Sequence, residues 1–252
     1  MALLEVDDVV KRYGGLAAVD GLTFSVDKGQ TFGIAGPNGA GKTTLFDCIT
    51  GMVRATSGTV RLDGTEIQSA PVHKICNLGA ARTFQLPSVF DSQTVLANAL
   101  AGAYYGRSRH WWQGLGRSVP SIKRGLEELE FVGLGEQAAQ VAGPLPVYDK
   151  KRLMLASALA SDPIVLFLDE PFGGLTPGEV DAFLETIKRT RERGITIVLI
   201  EHVMRALMAL SDRVLIMNHG KELFEGTPAE VTRNEEVVEV YLGRKEGTLD
   251  DE

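Results

Sequence analysis

The stretch Gly36-Pro37-Asn38-Gly39-Ala40-Gly41-Lys42-Thr43 has the spacing G-x-x-x-x-G-K-[ST]. Glycines let such a loop curl until successive backbone N–H groups point inward at phosphate oxygens. A helix opening near Gly41 would add the positive end of its dipole. Lys42 would bring a full charge to the β- and γ-phosphates, and the Thr43 hydroxyl can ligate Mg²⁺. The expected ligand is a nucleoside triphosphate. A second constellation is the apolar run Ile164 to Leu168, which ends in Asp169-Glu170. A buried strand ending in two carboxylates is costly unless a cation or water meets them. Asp169, first past the strand, would hold Mg²⁺ through a water, and Glu170 would polarise an attacking water as general base. Three further residues leave alternatives open. His202, after Glu201, is either a structural strand-end histidine or a contact for the γ-phosphate and the attacking water. Gln85, in Arg82-Thr83-Phe84-Gln85, can reach Mg²⁺ or water, or cap a turn. Tyr13 offers a π-face to a purine, or packs in a strand.

These residues need elements to position them. Short strands are expected at Leu3 to Val6, Leu22 to Val26, Thr31 to Ala35 and Thr59 to Leu62, with glycine-containing turns that suit antiparallel pairing. From about residue 86 to 160 the composition shifts to helix formers, with Ile122, Leu126 and Leu129 at helical spacing. The continuous apolar runs Ile164 to Leu168 and Ile195 to Ile200 read as strands buried on both faces. Between them Val180, Phe183, Leu184 and Ile187 mark one helix face, opened by the capping box Thr176-Pro177-Gly178-Glu179. Thr227-Pro228-Ala229-Glu230 repeats that device. Strand, helix, strand order implies an α/β fold with a parallel sheet covered by helices. The segment 244–252 has almost nothing to bury and is expected to be a flexible tail.

Composition bounds the setting. A chain of 252 residues that is 44% hydrophobic can fill one large core, which excludes a disordered chain. Two cysteines, Cys48 and Cys76, are too few for a disulfide scaffold and fit a reducing compartment. Cys48 reads as a small buried hydrophobe. A net charge of −7 argues against a nucleic-acid partner. No apolar run approaches the ~20 residues of a spanning helix. Val95 to Tyr105 is the longest, and Asn98 breaks it. The start MALLEVDDVVKR meets acidic residues at once and does not read as a secretory signal. Composition therefore points to a soluble, cytosolic chain. Tyr104, Tyr105, Trp111 and Trp112, interleaved with Arg107, Arg109 and His110, are expected to cover a local helix pair or to touch a membrane or membrane subunit.

The ordered set of phosphate loop, Gln85, Asp169-Glu170-Pro171 and His202 resembles an ABC-transporter ATPase subunit across about residues 3 to 243. Ala81 to Gln85, Leu199-Ile200-Glu201-His202 and Tyr241-Leu242-Gly243 resemble the branch that serves branched-chain amino acid importers. The resemblance implies one domain over 1–252: a nucleotide-binding core at 1–85 and 161–243, with an antiparallel β subdomain, and a helical subdomain at about 86–160. It implies ATP and Mg²⁺ as ligands. Nucleotide contacts would fall on Tyr13, Gly36, Asn38, Gly39, Ala40, Gly41, Lys42, Thr43 and Thr44. Metal contacts would fall on Thr43, Gln85 and Asp169, and catalytic roles on Glu170, His202 and Gln85. The implied partners are membrane permease subunits docking near the helical subdomain, a second ATPase and, indirectly, a solute-binding protein. The implied place is the cytoplasmic face of the cell membrane. An export-type ATPase sharing the Tyr-Leu-Gly ending, or an ATP-binding scaffold with little hydrolysis, are the rival readings.

One segment departs from the family. Where the signature L-S-G-G-Q is expected, the chain has Leu145-Pro146-Val147-Tyr148-Asp149. In the family the signature serine and glycines contact the ATP held by the opposite subunit. Pro146 has neither hydroxyl nor N–H, Val147 and Tyr148 add bulk, and Asp149 adds a negative charge or serves as a helix N-cap. A homodimer would place this poor segment over both nucleotides. A heterodimer with a soundly equipped partner is therefore expected.

Overall fold

The computed structural model describes residues 1–106 and 119–242. In chain order its elements are β1 (Ala2–Tyr13), β2 (Leu16–Asp27), β3 (Thr31–Ala35), α1 (Lys42–Ile49), β4 (Ser57–Leu62), β5 (Thr65–Glu66), α2 (Val72–Asn77), β6 (Ala80–Thr83), α3 (Val95–Tyr105) and α4 (Val119–Phe131). Then follow α5 (Val147–Ala160), β7 (Val165–Asp169), α6 (Pro177–Glu192), β8 (Thr196–Ile200), α7 (Met204–Leu210), β9 (Arg213–Asn218), β10 (Lys221–Gly226), α8 (Pro228–Val231) and α9 (Glu235–Leu242).

The strands form two sheets, with orders β2-β1-β4-β5 and β10-β9-β3-β8-β7-β6. The first is antiparallel throughout. The second is parallel except for its edge pair β9–β10. Its central strands are apolar on both faces because two cores use alternate residues. Val165, Phe167, Val198 and Ile200 join the core shared with α1 and the antiparallel sheet. Leu166, Leu168, Ile197 and Leu199 join the opposite core, shared with α5, α6 and α7. That is the physical reason the two runs carry no polar alternation. Phe46 of α1 meets Phe167 edge-on with ring centroids 5.4 Å apart, which locks α1 onto the sheet.

Both expected capping boxes are present: Thr176 and Thr227 each accept from the backbone three residues on, and Glu179 and Glu230 return the bond. The strands β1 and β2 run far beyond their apolar cores, to 12 residues each. Register shifts between Val6 and Val9 carry Asp7 and Asp8 outward, with Asp8 at φ 46°. The β9–β10 hairpin, which carries no strict alternation, completes the sheet beside β3. Trp111, Trp112, Arg107, Arg109 and His110, like the tail from residue 243 onward, lie outside the described residues.

Candidate functional site

The strand order determines the site. Strands β3, β8, β7 and β6 lie side by side and parallel, so their C-terminal ends form one row. Beyond β3 comes the phosphate loop, beyond β8 His202, beyond β7 Glu170, and beyond β6 Gln85. Strands are spaced about 4.8 Å apart, so residues remote in sequence become neighbours. Ligands of open α/β sheets gather at this edge.

Two of the loop's glycines, Gly36 and Gly41, are required by contact as well as by backbone conformation. At Gly36 a Cβ would lie 2.2 Å from the Met217 carbonyl oxygen; at Gly41, 2.0 Å from that of Ala18. Gly41 caps α1 in the left-handed region at φ 98°, with no side-chain cap and no acidic residue in the first turn. The first N–H groups of α1 and its positive end are thus left to an anion. The loop is clamped from behind: Gly220 N–H donates to the Ala40 carbonyl, 3.0 Å, and Asp20 N–H to that of Gly220, 2.8 Å. Lys42 is buried, and its Nζ donates to the Gly36 and Pro37 carbonyls at 2.7 and 3.0 Å. Burial lowers its pKa, while Glu170 and Asp169 pull the other way. Asn38, Gly39 and Thr43 are exposed, and Thr44 half-buried. Tyr13, half-exposed, ends β1 beside the turn into β2 and carries Lys11 Nζ 4.8 Å from its ring centroid. Its strand partner Leu16 lies two residues before Ala18, whose carbonyl oxygen abuts Gly41.

Glu170, Gln85 and His202 meet. Gln85 Nε2 donates to Glu170 Oε2 at 2.6 Å, and His202 Nδ1 lies 3.5 Å from the same oxygen. Glu170 is held at φ 45°, a conformation costing a bulky residue about 1–2 kcal/mol. Its N–H donates to the Ile200 carbonyl at 3.0 Å, and its own carbonyl accepts from Lys151 Nζ at 3.3 Å. Asp169 is 4% exposed; burial raises its pKa, and Arg82 opposes that. Oxygen donors from Asp169, Gln85 and Thr43 suit a hard cation. Among the described residues no group of three His, Cys, Asp or Glu could hold a metal alone.

Sequence reasoning assigned no role to three charged residues that hold this row together. Glu201, fully buried, accepts the backbone N–H groups of Phe172, His202 and Val203 at 2.8–3.0 Å. Lys151, also buried, reaches from α5 to the Glu170 carbonyl; burial lowers its pKa against the pull of Glu201 and Glu170. Arg82 bonds Asp169. The signal for Glu201 was available: it too is a carboxylate ending an apolar run.

The segment Leu145 to Asp149 differs in detail from its expectation. Pro146, not Asp149, is the N-cap of α5, and it makes no side-chain cap bond. Asp149 sits in the first turn and is paired with Arg152 at 2.5 Å, which offsets its charge. Tyr148 turns inward, edge-on to Phe183 at 6.1 Å and 4.7 Å from the Arg152 guanidinium, so its bulk packs against protein. Val147 alone of the bulky pair is exposed.

Comparison with known proteins agrees with this geometry. The ABC transporter family matches residues 19–173, and a branched-chain amino acid ATP-binding cassette transporter family matches 221–247. The chain is 39% identical over 250 residues to the high-affinity branched-chain amino acid transport ATP-binding protein BraF of Pseudomonas aeruginosa, covering 96% of this chain and 98% of that one. It is 36% identical to the corresponding protein LivG of Escherichia coli, with the same coverage. The crystal structure of the ADP conformation of an ATP-binding cassette of an ABC transporter superposes with a TM-score of 0.87 at 29% identity, over 96% of this chain and 99% of that one. The loop, the row of strand ends and these relatives agree: the chain belongs to the ABC transporter family, as one of its ATPases.

Proposed function

We propose that the chain is the ATP-hydrolysing motor subunit of a multisubunit importer of branched-chain amino acids or related small polar solutes. It would act on the cytoplasmic face of the cell membrane, under permease subunits fed by a solute-binding protein. The observation that carries the reading is the contact of Gln85 and His202 with one oxygen of Glu170, at the end of the strand row that begins with the phosphate loop. Glu170 takes the proton of a water attacking the γ-phosphorus, while Gln85 and His202 orient that water and the γ-phosphate. Lys42 and the α1 amides bear the phosphate charge, and Tyr13 stacks on the adenine. Thr43, Gln85 and Asp169 would hold Mg²⁺, which would supply charge neutralisation at the phosphates.

The proposed pairing with a second ATPase rests on α5. Its N-terminus lacks a hydroxyl at 146, lacks glycine at 147 and 148, and carries Asp149 where a partner's phosphate would approach. Arg152 offsets that charge but restores no donor. A second ATPase with a sound signature would complete the site built on this chain's Lys42, Glu170 and His202. A mostly apolar groove of about 320 Å³ between the core and the helices, lined by Ile75, Phe84, Met154 and Ser157 among others, supports docking of a permease segment. Among the described residues no helix is long and apolar enough to cross a membrane.

The test is ATP turnover by the purified chain alone. The reading expects ATP binding with slow turnover, lowered further by Glu170→Gln without loss of binding. Brisk, cooperative hydrolysis by the isolated chain would overturn the pairing. Turnover indifferent to Glu170→Gln would overturn the motor reading.

A further inference from the structure

Arg82 is a buried cation that no part of the mechanism above uses. Its side chain is 8% exposed. Nη1 donates to Asp47 Oδ1 at 2.7 Å and to Thr50 Oγ1 at 3.0 Å. Nη2 donates to Asp169 Oδ2 at 2.8 Å. The guanidinium lies 5.6 Å from the Phe46 ring centroid and 5.2 Å from that of Phe84. One planar fork on β6 therefore ties the helix that follows the phosphate loop to the carboxylate that ends β7.

Burying an ion pair is an inefficient route to stability, since apolar residues of similar volume often do as well. Orientation is a different matter. The terminal torsion of an aspartate is broad and roughly two-fold, so a free carboxylate presents its oxygens over a wide arc. Pinning Oδ2 to a fork that is itself anchored on Asp47 fixes the direction of the other oxygen. The sharing matters too: one guanidinium serves two carboxylates, so Asp169 is oriented without its charge being cancelled.

We propose that Arg82 is a positioning residue for the metal: by holding Asp169 it sets the Mg²⁺ dependence of nucleotide binding. The inference rests on the reading that Asp169 meets Mg²⁺. Metal ligands are commonly tuned this way, and loss of such an outer contact costs about 10–100-fold in metal affinity.

The experiment titrates the full chain with a fluorescent ATP analogue in excess Mg²⁺ and in EDTA, and reads the ratio of the two dissociation constants. Asp169→Asn abolishes the gain conferred by Mg²⁺. Arg82→Gln reduces that gain about tenfold or more, with the loss confined to the Mg²⁺ arm. Arg82→Lys, whose ammonium can meet only part of the same set, restores part of it. Should Arg82→Gln melt before binding can be read, Arg82→Lys carries the test, with a several-fold loss in the Mg²⁺ arm. Equal losses in both arms mean a merely structural role and overturn the proposal. An unchanged ratio in Arg82→Gln beside a lost one in Asp169→Asn overturns it as well. A gain that survives Asp169→Asn overturns the reading of Asp169 itself, and the proposal with it.

Discussion

Alanine at Gly41 and at Gly39 should have different consequences, although both glycines stand in the same loop at positive φ. Gly41 has φ 98°, and its Cβ would come within 2.0 Å of the Ala18 carbonyl oxygen and 3.2 Å of its carbon. Neither atom can swing aside, because they belong to β2, which is tied through Gly220 back to the loop. Left-handed strain costs about 1–2 kcal/mol and overpacking about 1–3 kcal/mol, so Gly41→Ala should cost about 2–5 kcal/mol. Gly39 has φ 82° and nothing within 4 Å of its Cβ, so Gly39→Ala should cost only the strain, about 1–2 kcal/mol. Denaturant unfolding of the two variants gives both numbers, and ATP titration shows whether the loop's amides moved. Gly41→Ala should also weaken ATP binding, since the loop must shift to clear Ala18. Costs within ~0.5 kcal/mol of each other, the usual margin of independent effects, would refute the contact argument.

Three further outcomes are expected. Glu201→Gln replaces one acceptor oxygen by a donor among three backbone N–H groups, so it should cost about 2 kcal/mol or more and lower turnover by releasing His202; unfolding and kinetics unchanged from wild type would contradict this. Glu179 and Glu230 have lowered pKa values because the Thr176 and Thr227 backbones and hydroxyls bond their carboxylates. That stabilisation is present above the unfolded value of about 4.3 and is lost as pH falls through the folded values. Melting temperature should therefore drop more steeply in acid for wild type than for the double variant Glu179→Gln, Glu230→Gln. Cys48 is 1% exposed, and burial pushes its thiol up to about 11. Alkylation at neutral pH should spare it until the chain unfolds; modification of the native chain at Cys48 would contradict the packing.

The sequence was most legible where chemistry restricts residue choice. Glycines at 36 and 41, a lysine and a hydroxyl have few other uses in that spacing, and two carboxylates after an apolar run need a reason. Capping boxes at Thr176 and Thr227 are local in sequence and were readable for that reason. What depended on distant neighbours was not. The length of β1 hides behind Asp7, Asp8, Lys11 and Arg12, which a bulged, one-sided strand tolerates. The anchors of Arg82 lie 35 and 87 residues away, so nothing local marks it. Tyr148 reads as an obstruction until Phe183 and Arg152 show where its ring goes.

We propose that this chain combines a sound set of cis catalytic residues with a signature segment that serves a partner's nucleotide poorly. Steady-state ATP turnover of the chain with its signature restored tests it most directly. The variant carries Pro146→Ser, Val147→Gly, Tyr148→Gly and Asp149→Gln, with retained ATP binding as the check on folding. Restoring trans donors should raise turnover of the isolated chain about a hundredfold, and adding Glu170→Gln should remove the gain. A restored chain that binds ATP yet turns over no faster than the native one would contradict the claim.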